Sequence, residues 1–473
     1  MRLTNRQAGL TYKGAAPAHY DIVTNSTAAY GTLIVKDTPN WKIGAMNFGL
    51  AEGSTVASGW TYQDVIKAEG SSTFDSTESK TNQYFSPSGT FEMRLFWDGT
   101  NWDLSAQRLN IFTASAEART NNVAGPAAAV LDASPSVGAR FQGVTTEQGF
   151  SDAAAQTLPL LVGGAQSATA STLKNLRGIV QTRNASTQGM ASGNGYVTDG
   201  NIWFKPFGSW ANQADQDGVA GFESRASGMA LGVDVAYNSS TRLGFALTYA
   251  DVKTDGKSQV APNQADISLY QFVGYGSSNL DNNLVLDYQM GLGQNKTKGV
   301  RNIVLAGLTA DSDYDAKLST VGMGLTRLYA VNESTAFVPS VRADYTNIRD
   351  AGYTETGAKE LNLIVKSRAT EQLLVAFDAK VDHDLNSGVK LTFNAGFGYD
   401  VLAKQSAITA AFAGAPGASF TTTGLETDPW IRRLGVGLSS KAGNGPDFSA
   451  RLDAEHRKGF SNQTASVNVR WDF

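Results

Sequence analysis

A chain of 473 residues is long enough for two or more structural units, and its formal net charge of −4 offers no basic field for nucleic acid. The complete lack of cysteine excludes disulfide scaffolds, thiolate zinc sites and cysteine nucleophiles. Mean hydropathy is −0.22, and the longest apolar clusters, residues 127–131 and 158–162, fall far short of the roughly 18–20 residues of a membrane helix. A membrane β-barrel is untouched by that test, because its apolar residues occupy alternate positions.

Residues 1 to about 115 consist of short alternating runs between Gly, Asn, Asp and Ser clusters and read as β-rich. One run is Thr32-Leu33-Ile34-Val35. Another, residues 91–97, is followed by Asp98-Gly99-Thr100-Asn101 and then Trp102-Asp103-Leu104. Asp-Gly readily takes the positive φ values of a tight turn, so a hairpin is predicted, with Trp97 and Trp102 flanking it. Residues 116–155 are rich in Ala, Ser and Pro and read as a linker. The stretch from Ala165 to Asn184 has no Pro and a single Gly, Gly178. Leu173, Leu176, Ile179 and Val180 recur there at helical spacing, while Lys174, Arg177 and Arg183 supply only positive charge, which predicts a helix. Its polarity on most sides is unusual for a core helix.

From about residue 198 the texture is uniform. Leu391, Phe393, Ala395, Phe397, Tyr399 and Val401 share one face, opposite Thr392, Asn394 and Asp400. Leu284 to Leu292, Phe337 to Tyr345 and Leu373 to Val381 alternate in the same way. Runs of this length match the roughly 9–11 residues that a tilted strand needs to cross a bilayer. About twelve strands are predicted, the even number expected of a bacterial outer-membrane barrel. They begin near residues 201, 225, 241, 265, 282, 315, 335, 369, 389, 429, 447 and 463. The one near 265 is the least clean, since Tyr270 and Phe272 compete with Ile267, Leu269 and Val273, and a bulge could account for it. Connections alternate in length. Those at 238–241, 277–283, 331–334 and 384–388 are short; those at 255–263, 295–313, 350–368 and 404–428 are mostly longer. This is the pattern of periplasmic turns and outer loops. The last connection, 458–462, is short and breaks it.

The lumen-facing set predicted from the alternation contains Asp234, Asp287, Asp344, Asp378, Asp382, Asp400, Asp453 and Glu455. Arg342, Lys380, Arg433, Arg451 and Arg470 partly balance it. Charge complementarity could hold the basic helix, although a wet barrel would carry solvated charges in any case. No metal, cofactor or catalytic constellation is expected. His19, His383 and His456 lie in different segments, and no nucleophile elbow, zinc-binding helix or phosphate loop is present.

Three stretches carry a family resemblance. Trp203-Phe204-Lys205-Pro206-Phe207-Gly208-Ser209-Trp210, with residues 217–222 after it, is similar to the first strand and loop of type V autotransporter barrels. The chain end, with Ala465, Val467, Val469, Trp471 and Phe473, resembles a terminal signature shared by many outer-membrane barrels. Residues 91–104 resemble the close of a secreted passenger, where a β-solenoid ends in a stable core. The resemblance implies an all-β fold in three parts: 1–115 the C-terminal end of a β-solenoid passenger, 116–197 a linker and pore-threading helix, and 198–473 an antiparallel transmembrane β-barrel with that helix in its lumen. It implies export of the chain's own N-terminal segment, with Val467, Val469, Trp471 and Phe473 read by the barrel assembly machinery. Outer-membrane lipid and periplasmic chaperones are the further partners implied, and the barrel is expected to be monomeric. A surface adhesin using the same barrel is the alternative. Some members cut their linker at an Asn. Asn121-Asn122 is too far upstream of the helix, and structural roles are favoured for Asn175 and Asn184. The start, Met1-Arg2-Leu3-Thr4-Asn5, lacks the apolar core of a signal peptide, so an exported protein is expected to have sequence upstream of it.

Overall fold

The computed structural model describes residues 1–86, 89–186, 200–281, 283–385, 388–440 and 446–472. Among them the alternating segments form twelve barrel strands. These are β1 (Gly200–Gln213), β2 (Phe222–Ala236), β3 (Thr241–Gly256), β4 (Asn263–Asp281), β5 (Leu284–Ile303) and β6 (Leu308–Arg327). There follow β7 (Thr335–Asp350), β8 (Arg368–Leu385), β9 (Val389–Asp400), β10 (Trp430–Ser440), β11 (Asp447–Arg457) and β12 (Phe460–Asp472). Each pairs antiparallel with the next. β12 closes on β1 from Asn201↔Asp472 to Gln213↔Phe460. Closure pairs both edges, as hydrocarbon requires, because an unpaired backbone group there costs several kcal/mol.

Alternation places Leu231, Phe245, Leu247, Phe272, Met290, Leu292, Met323, Phe393, Leu434 and Leu452 on the outer surface, each about half exposed or more. Cross-strand aromatic pairs reinforce this face: Phe245 stacks on Phe272 and Phe377 on Phe397, both at 5.5 Å between ring centroids. Short connections among the described residues gather at one end (237–240, 328–334). The other end carries 214–221, 351–367 and 401–429, together with the tight turn at 458–459.

Two expectations need correction. Residues 295–313, read as a long loop, continue β5 and β6, whose pairing runs to Ile303↔Leu308. Lys296 and Lys298 face outward on β5, and Asp311, Asp313 and Asp315 on β6. The ladder thus outlasts the apolar band, and the hydrophobic alternation fades where the strands stand clear of lipid. Residues 116–155, read as a linker, fold with their flanks into helices α1 (Ile111–Ala118), α2 (Gly125–Ala133) and α3 (Glu147–Gln156). Their Ala content permits close packing, and Pro126 sits in the first turn of α2, where its missing N–H costs nothing. Asp132 of α2 accepts hydrogen bonds from the Phe112 and Thr113 amides at 3.1 and 2.9 Å, so it caps α1 from a neighbouring helix. Burial pushes the Asp132 carboxyl up, against the opposing effect of those donors.

These helices share one core with the long connections. Phe112 packs edge-on against Phe141 and Phe150. Leu131 and Val137 lie in the same cluster with Leu361, Leu363, Ile408, Phe412 and Phe420. The connections contribute a four-stranded sheet of Tyr353–Thr354, Leu363–Val365, Ala407–Phe412 and Ser419–Thr423. Helices and sheet together form a cap on that end of the barrel.

On the cap side lies the N-terminal sheet structure. Arg2–Asn5, His19–Ile22 and Asn47–Leu50 pair in parallel, as do Leu10–Tyr12, Leu33–Lys36 and the far end of Thr61–Glu69. An antiparallel hairpin, Gly89–Trp97 with Trp102–Arg108, closes the stack. Trp97 lies opposite Trp102 at 5.8 Å between centroids, and Trp102 is fully buried.

Candidate functional site: the occupied lumen

Helix α4 (Gly164–Ser186) runs inside the barrel. The chain turns into the lumen at Leu161, Val162 and Gly163, which have φ of 50°, 43° and 93°. Two non-glycine residues in this region are costly, and both are buried in surroundings that hold them there.

Leu173, Leu176, Ile179 and Val180 form the apolar stripe of α4, packed against Trp203, Phe207, Ala230, Ala246, Ala250, Leu269 and Val273 on the inner wall of β1–β4. Ala316, Leu318 and Ile348 extend this surface to β6 and β7. The ambiguity of β4 is thereby resolved. Its pairing with β5 is regular from Asn263 to Asn279, and both of its faces are apolar for different reasons. Tyr270 and Phe272 face outward, while Ile267, Leu269 and Val273 are buried on the inner side. Two glycines make room for the bulky wall residues. A Cβ on Gly232 would overlap the Trp203 indole, and one on Gly228 would lie 2.6 Å from Phe207 Cε1.

The polar side of α4 is tied by specific contacts. Lys174 pairs with Glu455. Arg177 lies 3.6 Å from Asp344 and donates to Thr346 Oγ1 at 2.9 Å. Asn175 donates to Ser209 at 3.1 Å and accepts from Asn462 at 3.2 Å, an ordinary structural role. Gln166 donates to Asp350 at 2.6 Å. The side chains of Arg183 and Asn184 lie outside the described residues.

The other predicted lumen acids lie on the inner wall but face barrel partners. Asp287 and Asp344 clasp Arg342. Asp378 meets Arg433 at 2.5 Å, Asp453 meets Arg451 at 2.7 Å, and Asp382 meets Lys380 at 2.8 Å. Asp234 accepts from Asn201 and Tyr275 and pairs with Arg242 at 3.2 Å. Asp400 accepts from Gln372 at 2.8 Å, with Arg457 at 4.0 Å, and Arg470 pairs with Asp447.

Magnitudes decide what seats the helix. Full burial of an apolar side chain contributes roughly 1.5–3 kcal/mol, and the stripe buries four. A buried ion pair gains attraction but loses hydration, so its net worth is small unless one partner is removed. The stripe therefore supplies the affinity, and the ion pairs fix the register. Sequence reasoning missed this division, and also Thr346, Ser209, Asn462 and the Gln166–Asp350 contact. The readable signal was a strand apolar on both faces, β4.

No catalytic geometry emerges among the described residues. His19 contacts Asp21 at 2.8 Å, His383 contacts Thr335 at 2.9 Å, and the histidines remain far apart in the fold. The carboxylates of Asp64, Asp98 and Asp103 approach one another, but they are engaged by Lys67, Asn101 and backbone amides. In β12, Val467 and Trp471 are exposed on the outer face with Val469 between them, and Phe473 lies outside the described residues.

A closed twelve-stranded barrel with an apolar outer band and a helix of its own chain in the lumen defines a plugged outer-membrane translocator. A model of the autotransporter beta-domain family matches residues 202–455, and the chain belongs to that family. The translocator domain of the autotransporter NalP from Neisseria meningitidis shares the fold: its TM-score is 0.52 at 16% identity, over 65% of this chain and 98% of that one. Outer membrane protein A of Rickettsia rickettsii is 26% identical over 321 residues, which are 63% of this chain. Outer membrane protein B of the same organism is 29% identical over 191 residues, or 38% of this chain. The matches span only 14% and 11% of the length of these two relatives.

Proposed function

We propose that the barrel carries its own N-terminal segment across the outer membrane and that α4 stays behind as a plug. The observation that supports this reading most directly is α4 itself, which enters the lumen from the capped end and packs along the inner wall, next before the first barrel strand in element order. In this reading the long-connection end faces outward, and residues 1–115 are the C-terminal end of a β-solenoid passenger. The passenger crosses as a hairpin, C-terminus first. It then folds outside from the Trp97–Trp102 hairpin, and each parallel coil templates the next, so folding propagates without ATP. Residues 116–197 serve as junction and plug, and the barrel works as a monomer in lipid. The barrel assembly machinery, aided by periplasmic chaperones, reads Phe473. Deletion of Phe473 therefore reduces folded barrel in cells while leaving refolding into detergent intact.

Conductance in planar bilayers tests the plug. The intact chain conducts weakly, and removal of residues up to about 190 raises conductance clearly. Equal conductance in the two forms would overturn the reading.

A further inference from the structure

The lumen is not filled evenly around α4. The apolar stripe seats the helix on the wall of β1–β7, and two polar cavities remain along the opposite side. One, of about 340 Å³, lies at the capped end, where Gln166 and Ser171 of the helix face Asp400, Arg457 and the 401–429 connection. The other, of about 200 Å³, lies toward the short-turn end, where Asn175 and Gly178 face Asp378, Arg433 and Arg451. The larger has room for roughly ten waters, and its polar walls can hold them. Among the described residues, Lys174 and Glu455 alone line both cavities. They are ion-paired, and their side chains are 10% and 7% exposed.

We propose that the two cavities are successive segments of a residual pathway for small inorganic ions through the plugged barrel, with the Lys174–Glu455 pair as its constriction. The proposal rests on the plug reading above. An ion travelling along the β8–β12 side meets a continuous series of fixed charges and, at one level, two side chains that close on each other. Charged side chains at a narrow point control both passage and selectivity. Five cationic side chains line the second cavity against three carboxylates, so anions are favoured there. Arg177 lies outside the pathway, held against Asp344 and Thr346.

The test is conductance of the full chain in planar bilayers under a potassium chloride gradient, each variant first being shown to be a closed barrel by its gel shift on boiling. Lys174→Ala with Glu455→Ala joins the cavities and raises the conductance about twofold or more, whereas Lys296→Ala, on the outward face of β5, leaves it unchanged. The exchanged pair, Lys174→Glu with Glu455→Lys, restores the parental value. Glu455→Gln keeps the bulk while removing a carboxylate, and it shifts the reversal potential toward that of chloride. No rise in the alanine pair, or an unshifted potential in Glu455→Gln, overturns the pathway. If truncation to about residue 190 still raises conductance, the plug reading survives that result; if truncation has no effect, the plug reading falls and takes the pathway with it.

Discussion

Arg301 stands at the capped end of β5. Its Nε and Nη2 donate to the two oxygens of Glu355 at 3.1 and 2.5 Å. Nη1 donates to the Gln156 carbonyl at 2.8 Å, and Nη2 also to that of Leu361 at 2.9 Å. Glu355 further accepts the Leu363 amide at 2.8 Å, and both charged side chains are 1% exposed. One guanidinium thus ties a barrel strand, the end of α3 and the 351–367 connection. Glu355→Gln removes the negative charge and leaves the guanidinium buried, a change that costs about 3–5 kcal/mol. At 1.4 kcal/mol per decade, the docking equilibrium of the cap falls by a factor of roughly one hundred to a few thousand. The barrel ladder does not use this pair, so the loss is confined to the cap. Amides of α1–α3 then exchange with deuterium faster, while the barrel keeps its gel shift on boiling. The double change Arg301→Met with Glu355→Leu replaces the pair by apolar groups and restores most of the protection, because a removed ion pair leaves no stranded charge. Unaltered exchange in Glu355→Gln, or a double variant as loose as the single one, would refute the reasoning.

Three further outcomes are expected. Gly232→Ala drives a methyl group into the Trp203 indole and destabilises the barrel by about 1–3 kcal/mol; an unchanged melting temperature in detergent would show that the wall can yield. Leu176→Ala empties a fully buried site in the stripe and weakens helix seating by about 2–5 kcal/mol, seen as faster amide exchange in α4 with the barrel intact. Trp97→Gln with Trp102→Gln removes an edge-on pair worth about 0.5–1.5 kcal/mol beyond its burial; surface display of the N-terminal segment falls while the barrel still assembles, and undiminished display would place the folding nucleus elsewhere.

The barrel was legible because a bilayer imposes a strict rule on sequence. Where strands meet lipid, as at Leu391 to Val401 or Leu284 to Leu292, every second residue is apolar and the strand follows directly. Where the environment changes, the rule lapses. β5 and β6 continue past Lys296 and Asp315 as a water-exposed ribbon, and only the backbone ladder marks them. The cap was read as linker because its helices are short and Ala-rich, and their apolar partners, Leu363, Ile408 and Phe412, lie hundreds of residues away. The inward direction of the lumen acids could be read from alternation. Their partners could not, because pairs such as Asp378–Arg433 and Asp287–Arg342 cross between strands whose register no local pattern fixes.

Under the proposed function, that pairing bears on how one barrel can serve as both conduit and plugged pore. Had the inner acids been compensated chiefly by the basic helix, an unplugged barrel would have stranded many carboxylates in a narrow lumen. Instead Arg342 answers Asp287 and Asp344, Arg433 answers Asp378, and Arg451 answers Asp453, all within the wall. The wall therefore balances most of its own charge before α4 arrives, and a passing chain need not supply a particular charge pattern. Among the described residues, two ion pairs, Lys174 with Glu455 and Arg177 with Asp344, await the helix together with hydrogen bonds such as Gln166 to Asp350, and they lie beside the one stripe that fits the Trp203 and Phe207 wall. A transiting segment without that stripe gains little by stopping. The segment that carries it has both the apolar surface to bind and the charges to set its register, so the lumen can be permissive during transit and selective at its end.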